Sequence, residues 1–215
     1  MTQPAKSVVL GVVLAGGQSR RMGEVGKGDK ALMPLDGKPL LAHALERLDA
    51  VVDRVVINAN GDPSRFAAFD RPVIADTIPG YAGPLAGVLA AMHHAQTLEP
   101  KPDYVLSVAG DTPFFPKDLV DAMVTASGKG EIVLAESDGR RHPVFGLWPV
   151  RLSDDLDAWL RDQENRKVLA WVGRHDWTTC QFEPVEVGQS TLDPFFNINT
   201  PEDFAFAEGL MEETV

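Results

Sequence analysis

The segment Leu14-Ala15-Gly16-Gly17-Gln18-Ser19-Arg20-Arg21-Met22-Gly23, continuing through Lys27 to Asp29-Lys30, gathers glycines and cations into one short stretch. Glycines let a backbone approach a ligand closely and turn its N–H groups inward around anionic oxygens. Arg20, Arg21, Lys27 and Lys30 place four positive side chains within eleven residues, where they repel one another unless an anion lies between them. That is chemistry for holding a nucleotide polyphosphate; a solvated basic loop is the bland alternative. The glycine spacing is not GxGxxG, and no window supplies GxxxxGK[ST], so a dehydrogenase and a P-loop hydrolase both lose ground.

Other polar residues fall at places where strands should end. Asp111, in Ser107-Val108-Ala109-Gly110-Asp111-Thr112-Pro113, is a carboxylate able to hold Mg²⁺ against phosphate oxygens, with a simple Asx turn as the alternative. Asn58 and Asn60 offer amides to a base or ribose, although turn formation explains them equally well locally. Asp76 is a further carboxylate ahead of Gly83-Pro84-Leu85-Ala86-Gly87. Near the C-terminus, Thr200-Pro201-Glu202-Asp203 reads as a capped helix start, which leaves Asn197 and Asn199 unexplained. His142 fits a packed imidazole as well as a functional one, and Cys180 has no neighbouring His and receives no role. None of these motifs forms a Ser/His/Asp or Cys/His arrangement.

The elements that must carry these residues alternate between short β-branched runs and helical stretches, the pattern of βαβ units around a mostly parallel sheet. Strands are expected at 8–14, 54–58, 72–74 and 104–108, without inside/outside alternation because both faces are covered. Helices are expected at 40–48, 85–96 and 118–126. Beyond residue 128, segments 131–136 and 142–147 flank a turn-like Ser137-Asp138-Gly139-Arg140 and should bring antiparallel pairing into the sheet. Helices at 153–161 and 166–172, a strand at 178–182 and a closing helix after Pro201 complete the pattern. The expected fold is a single α/β domain over 1–215: three α/β/α layers around a Rossmann-like, mostly parallel sheet with an antiparallel strand.

The chain has 215 residues, 44% of them hydrophobic and 24% charged, an ordinary globular composition. Its net charge of −11 argues against general affinity for nucleic acid. The charge is uneven: residues 1–54 carry 8 Lys+Arg against 6 Asp+Glu, and the remainder 12 against 25. The basic quarter therefore coincides with the glycine-rich segment. One cysteine permits neither an intramolecular disulfide nor a CxxC pair, and the apolar run after Lys6 reads better as a buried strand than as a signal peptide. A soluble cytoplasmic protein with no membrane partner is expected.

Taken together, Leu14 to Gly23, Asp29-Lys30, Asn58-Ala59-Asn60, Asp76 with Gly83 to Gly87, Gly110-Asp111-Thr112-Pro113, His142-Pro143 and Asn197 to Asp203 resemble the molybdenum cofactor guanylyltransferases of the MobA type, in that family's order and over nearly the whole chain. The resemblance implies a nucleotidyltransferase fold and transfer of GMP from GTP to Mo-molybdopterin, with pyrophosphate released. It implies that Leu14, Ala15, Gly16, Gly17, Asn58 and Asp76 bind the nucleotide, that Arg21 and Lys30 act on its phosphates, and that Asp111 holds Mg²⁺. His142, Asn197 and Asn199 fall towards the molybdopterin side. Transient contacts with molybdopterin-delivering and molybdoenzyme-maturation proteins are also implied. The stretch from Met22 to Lys30 is longer than the family's usual spacing, so Lys27 competes with Lys30 for the phosphate role. The rival readings are a CTP-dependent molybdopterin cytidylyltransferase, a sugar-phosphate nucleotidyltransferase, and a non-catalytic nucleotide-binding protein.

Overall fold

The computed structural model describes residues 7–16, 29–80, 83–128, 130–162, 167–187 and 189–212. In chain order, β1 (Val9–Leu14) is followed by a 3-10 turn at Lys30–Leu32, a small hairpin of β2 (Pro34–Leu35) and β3 (Lys38–Pro39), and α1 (Leu40–Asp49). Next come β4 (Arg54–Asn58), a 3-10 segment at Pro63–Phe69, β5 (Val73–Ile74), α2 (Pro84–Ala95), β6 (Tyr104–Ala109) and α3 (Leu119–Ala126). The remainder comprises β7 (Ile132–Ser137), β8 (Arg140–Pro149), α4 (Ser153–Arg161), α5 (Val168–Val172), β9 (Trp177–Gln181), a second small hairpin of β10 (Val185–Val187) and β11 (Ser190–Leu192), and α6 (Pro201–Glu212).

Seven strands form one sheet in the order β5-β4-β1-β6-β8-β7-β9. β8 alone runs against the others: it pairs antiparallel with both β6 and β7, while β7 pairs parallel with β9. The expected antiparallel pairing is thus one reversed strand, joined to β7 through Asp138 and Gly139, whose φ angles of 46° and 70° make the tight turn that hairpins favour. The two small hairpins were not expected. Asp36 and Gly37, with φ of 49° and 73°, repeat the same turn between β2 and β3. The predicted helix at 166–172 appears as Val168–Val172, and Pro84 opens α2 at the first helical position.

Side chains of the central strands alternate between two apolar layers. Val9 and Val13 of β1 and Leu106 and Val108 of β6 pack towards α1 and α3 with Leu41, Leu48 and Met123. Leu10, Val12 and Val105 face α2, α4 and α5 with Leu89, Met92, Leu156 and Trp171. A third cluster joins Leu35 and Leu40 to Ile198, Ala207 and Leu210, so the C-terminal helix covers the region next to Lys30. No described helix is long and apolar enough to cross a membrane.

One polar chain crosses the core between β6 and β8. The indole of Trp148, fully buried, donates to Ser107 Oγ at 2.8 Å, and Ser107 in turn donates to the carbonyl of Val144 at 2.6 Å. A buried hydroxyl left without its donor costs its desolvation, so Trp148→Phe should lower stability by roughly 1–3 kcal/mol, read as a fall in the chemical denaturation midpoint.

Candidate active site

The register of the sheet lines up four strand ends. Leu14 pairs with Asn58 on one side and Ala109 on the other, and Asn58 pairs with Ile74. Two residues beyond each end of that row stand Gly16, Asn60, Asp111 and Asp76 in turn. Backbone bonds hold the chain in register past the strands: Ala15 N–H to the Asn58 carbonyl at 2.9 Å, Ala59 to Ile74 at 3.0 Å and Gly110 to Leu14 at 3.1 Å. All four of those residues, with Leu14 and Asn58, line one cavity of about 310 Å³, which Gly83-Pro84, Ala109, Val144 and Asn197 close. Ligand crevices at the carboxyl ends of parallel strands are general in open α/β sheets.

At one end of the cavity, two amides grip Asp76. Asn58 Nδ2 donates to Asp76 Oδ1 at 3.0 Å and to the Ile74 carbonyl at 3.2 Å. Asn60 Nδ2 donates to Asp76 Oδ2 at 2.8 Å, while the Asp76 N–H returns a bond to Asn60 Oδ1 at 2.9 Å. The reason for Gly87 is visible here. A Cβ on it would lie 2.2 Å from Asn58 Oδ1 and 2.7 Å from Leu14 Cδ2, so the helix α2 backbone forms the floor beneath both residues.

At the other end, Lys30 is buried and its ammonium donates to Asp111 Oδ2 at 2.6 Å and to Asn199 Oδ1 at 2.7 Å. The segment that brings Asn199 there is itself fastened. Ile198 N–H bonds to the Asp111 carbonyl at 3.0 Å, and Thr112 Oγ1 donates to Asn197 Oδ1. Asp203 Oδ2 accepts from the N–H groups of Asn199 and Thr200, both at 2.9 Å, while its own N–H donates to Thr200 Oγ1 at 3.1 Å. That reciprocal cap explains Thr-Pro-Glu-Asp as a helix start and shows what the asparagines preceding it reach.

His142 lies near the start of β8, outside the cavity lining. Its ring stacks on Phe195 with centroids 4.5 Å apart, and its Nε2 lies 2.7 Å from Ser137 Oγ. Because Ser137 donates its one hydroxyl hydrogen to Asp193 Oδ1 at 2.9 Å, Nε2 must carry the proton in the bond between them. Burial pushes the imidazole below its usual pKa, with Asp193 opposing. Burial likewise raises the Cys180 thiol, so the thiolate is disfavoured. Gly17, Arg20, Arg21 and Lys27 lie outside the described residues. Val144 and Thr112 were missed from sequence, the first because an apolar strand residue carries no local signal of lining a cavity.

Residues 11–177 match the model of the MobA-like NTP transferase domain family. The chain belongs to this family. It is 48% identical over 198 residues to a molybdenum cofactor guanylyltransferase of Rhizobium meliloti (strain 1021), covering 92% of this chain and 89% of the relative. It is 46% identical over 206 residues to one from Mesorhizobium japonicum, covering 95% and 96%. Among solved structures, it resembles molybdopterin-guanine dinucleotide biosynthesis protein A from Archaeoglobus fulgidus, with a TM-score of 0.70, 22% identity and coverage of 96% and 100%. A Methanothermobacter nucleotidyl transferase gives a TM-score of 0.69 at 15% identity, over 97% and 99% of the two chains. These structural likenesses concern the fold. As a MobA-like transferase, the chain is an enzyme of the nucleotidyltransferase class.

The contact beneath Asn58 gives a direct check on the site. Gly87→Ala should displace Asn58 and Leu14 together and weaken nucleoside triphosphate binding about tenfold or more, with a stability loss of roughly 1–3 kcal/mol typical of overpacking. Calorimetric titration and thermal melting of the same variant measure the two effects.

Proposed function

We propose that the chain, acting as one nucleotidyltransferase domain in the cytoplasm, transfers GMP from GTP to Mo-molybdopterin. The products are molybdenum-molybdopterin guanine dinucleotide and pyrophosphate. Membership of the MobA-like family and the close relatives named as guanylyltransferases support this reading. The observation that carries it is the pairing of two unlike ends in one cavity, amides and a carboxylate at Asn58, Asn60 and Asp76, and at the far end the Asp111 carboxylate, to which the Lys30 ammonium is paired from outside the lining. The first suits a nucleoside and the second its phosphates. Leu14 at the end of β1, with Ala15 and Gly16 after it, then stands between them; Gly17 is assigned with these residues to nucleotide binding, and Asn197 and Asn199 to the acceptor side, whereas His142 packs away from the cavity.

The described residues contain no group of three or more His, Cys, Asp or Glu able to hold a metal ion. A single carboxylate fits Mg²⁺ in this setting, since that ion takes one or two protein carboxylates and completes its shell with phosphate oxygens and water. Asp111 would hold it. Bound there, Mg²⁺ would neutralise charge on the phosphate oxygens.

The protein's own groups account for the rest. The terminal phosphate of molybdopterin attacks the α-phosphorus of GTP in line; a new P–O bond forms as the bond to the β-phosphate oxygen breaks and pyrophosphate departs with the electron pair. A phosphate monoester has a second pKa near about 6, so the attacking oxygen is largely ionised at neutral pH and needs no strong base. Lys30 exchanges its bond to Asp111 for phosphate oxygens, and Asn199 keeps the ammonium in place while it does so. Arg21 would neutralise negative charge on the departing pyrophosphate, and backbone N–H groups of the glycine-rich segment would donate hydrogen bonds to it. The catalysis is positional and electrostatic, and no covalent enzyme intermediate is required.

Pyrophosphate release should be seen with GTP and Mo-molybdopterin together, but not with CTP, ATP or UTP, nor without the acceptor. Release with CTP instead would assign the chain to cytidylyl transfer. Asp111→Ala should reduce transfer to background at ordinary Mg²⁺ concentrations, and an unchanged turnover number would exclude Asp111 as the metal ligand. Lys30→Ala should weaken GTP binding more than Lys27→Ala; the reverse order would move the phosphate role to Lys27.

A further inference from the structure

Arg65 belongs to none of the sequence motifs, yet each of its guanidinium nitrogens is used on a different acceptor. Nε donates to the Asp62 carbonyl at 3.0 Å, one terminal nitrogen to the Asn60 carbonyl at 2.6 Å, and the other to Asp29 Oδ2 at 2.5 Å. The guanidinium carbon also sits 5.0 Å from the centre of the Phe66 ring. Gly61, with φ of +88°, allows the chain between Asn60 and Asp62 to wrap around this cation. Both of its outer partners lead into the cavity. Asn60 holds Asp76 by two bonds, and Asp29 immediately precedes Lys30, whose ammonium reaches Asp111.

We propose that Arg65 is a positioning residue that ties the nucleoside end of the site to its phosphate end, so that a ligand spanning both meets them already in register. The tie rests on the reading above that Asn58 and Asp76 take the base and Lys30 and Asp111 the phosphates. Its physical basis is preorganisation: the turn at Asn60 follows β4 whereas Asp29 opens the 3-10 turn at Lys30–Leu32, and without a shared partner their mutual ordering is a cost of binding. The Asp29 side chain is only 7% exposed, and burial raises its pKa against the pull of Arg65. A carboxylate so placed needs its partner. Lysine cannot replace that partner, because one ammonium does not present three nitrogens in a fixed plane.

The test uses the full chain with Mg²⁺ and three probes: GTP, which spans the site, and guanosine and pyrophosphate, which each occupy one end. In Arg65→Lys, the GTP dissociation constant should rise about tenfold, while guanosine and pyrophosphate each change less than about threefold, as expected when register rather than either subsite is lost. Arg65→Ala is expected to melt earlier, because it strands Asp29. In Arg65→Ala with Asp29→Asn, removal of the stranded charge should restore the melting temperature but not the GTP affinity. Unchanged GTP affinity in Arg65→Lys, equal losses for all three probes, or recovery of GTP affinity in the double variant would each overturn the tie. If the variants show these binding patterns while the wild-type chain releases no pyrophosphate with Mo-molybdopterin, that would count against the transfer reading alone.

Discussion

A buried ammonium organises this site. Removing a lysine charge from water is costly unless paired groups replace its hydration, and Lys30 is paired twice, with the Asp111 carboxylate and the Asn199 amide oxygen. The three residues come from the 3-10 turn at Lys30–Leu32, the segment just past β6 and the approach to α6. To satisfy one charge, three distant segments must meet. The third apolar cluster, in which Ile198, Ala207 and Leu210 pack on Leu35 and Leu40, supplies burial for that meeting, and Asp203 fixes the backbone that presents Asn199.

The other constraint is the row of strand ends. A parallel sheet delivers its chain ends to one edge, and the pairing Ile74-Asn58-Leu14-Ala109 makes that edge level. Backbone groups past the last rung lack sheet partners and must find others. Some are met by the side chains that define the site, as the Asp76 N–H is by Asn60. Stability of the edge and readiness for a ligand are therefore properties of the same bonds.

The central strands were legible because strands covered on both faces read as continuous apolar runs, and their ends then located Gly16, Asn58, Asp76 and Asp111 without any knowledge of contacts. The β2–β3 hairpin was not, although Asp36-Gly37 carries the same turn chemistry as Asp138-Gly139. Two-residue strands are too short to show a period. The Asn197-Ile198-Asn199 motif stood out by residue type, but only the folded chain shows that Asn199 reaches Lys30. Arg65 gave no signal at all: an arginine in a polar turn looks like any solvated cation, and only the folded chain shows that it joins the adjacent Asn60–Asp62 turn to the distant Asp29. His142 illustrates the opposite case, a residue conspicuous in sequence that the fold seats against Phe195 and Ser137.

The bond between Lys30 and Asn199 spans 169 positions of sequence. Synthesis runs from the N-terminus, and the early strands and helices can begin to pack while the later chain is still being made. Once β6 has been made the ammonium has Asp111 available but not Asn199, and the apolar cover from α6 is still missing. The ribosome thus releases the strands of the sheet before it releases the last partner of Lys30. An unfinished chain holds Lys30 without the amide oxygen that is its second partner, and that partner arrives only with the segment leading into the closing helix.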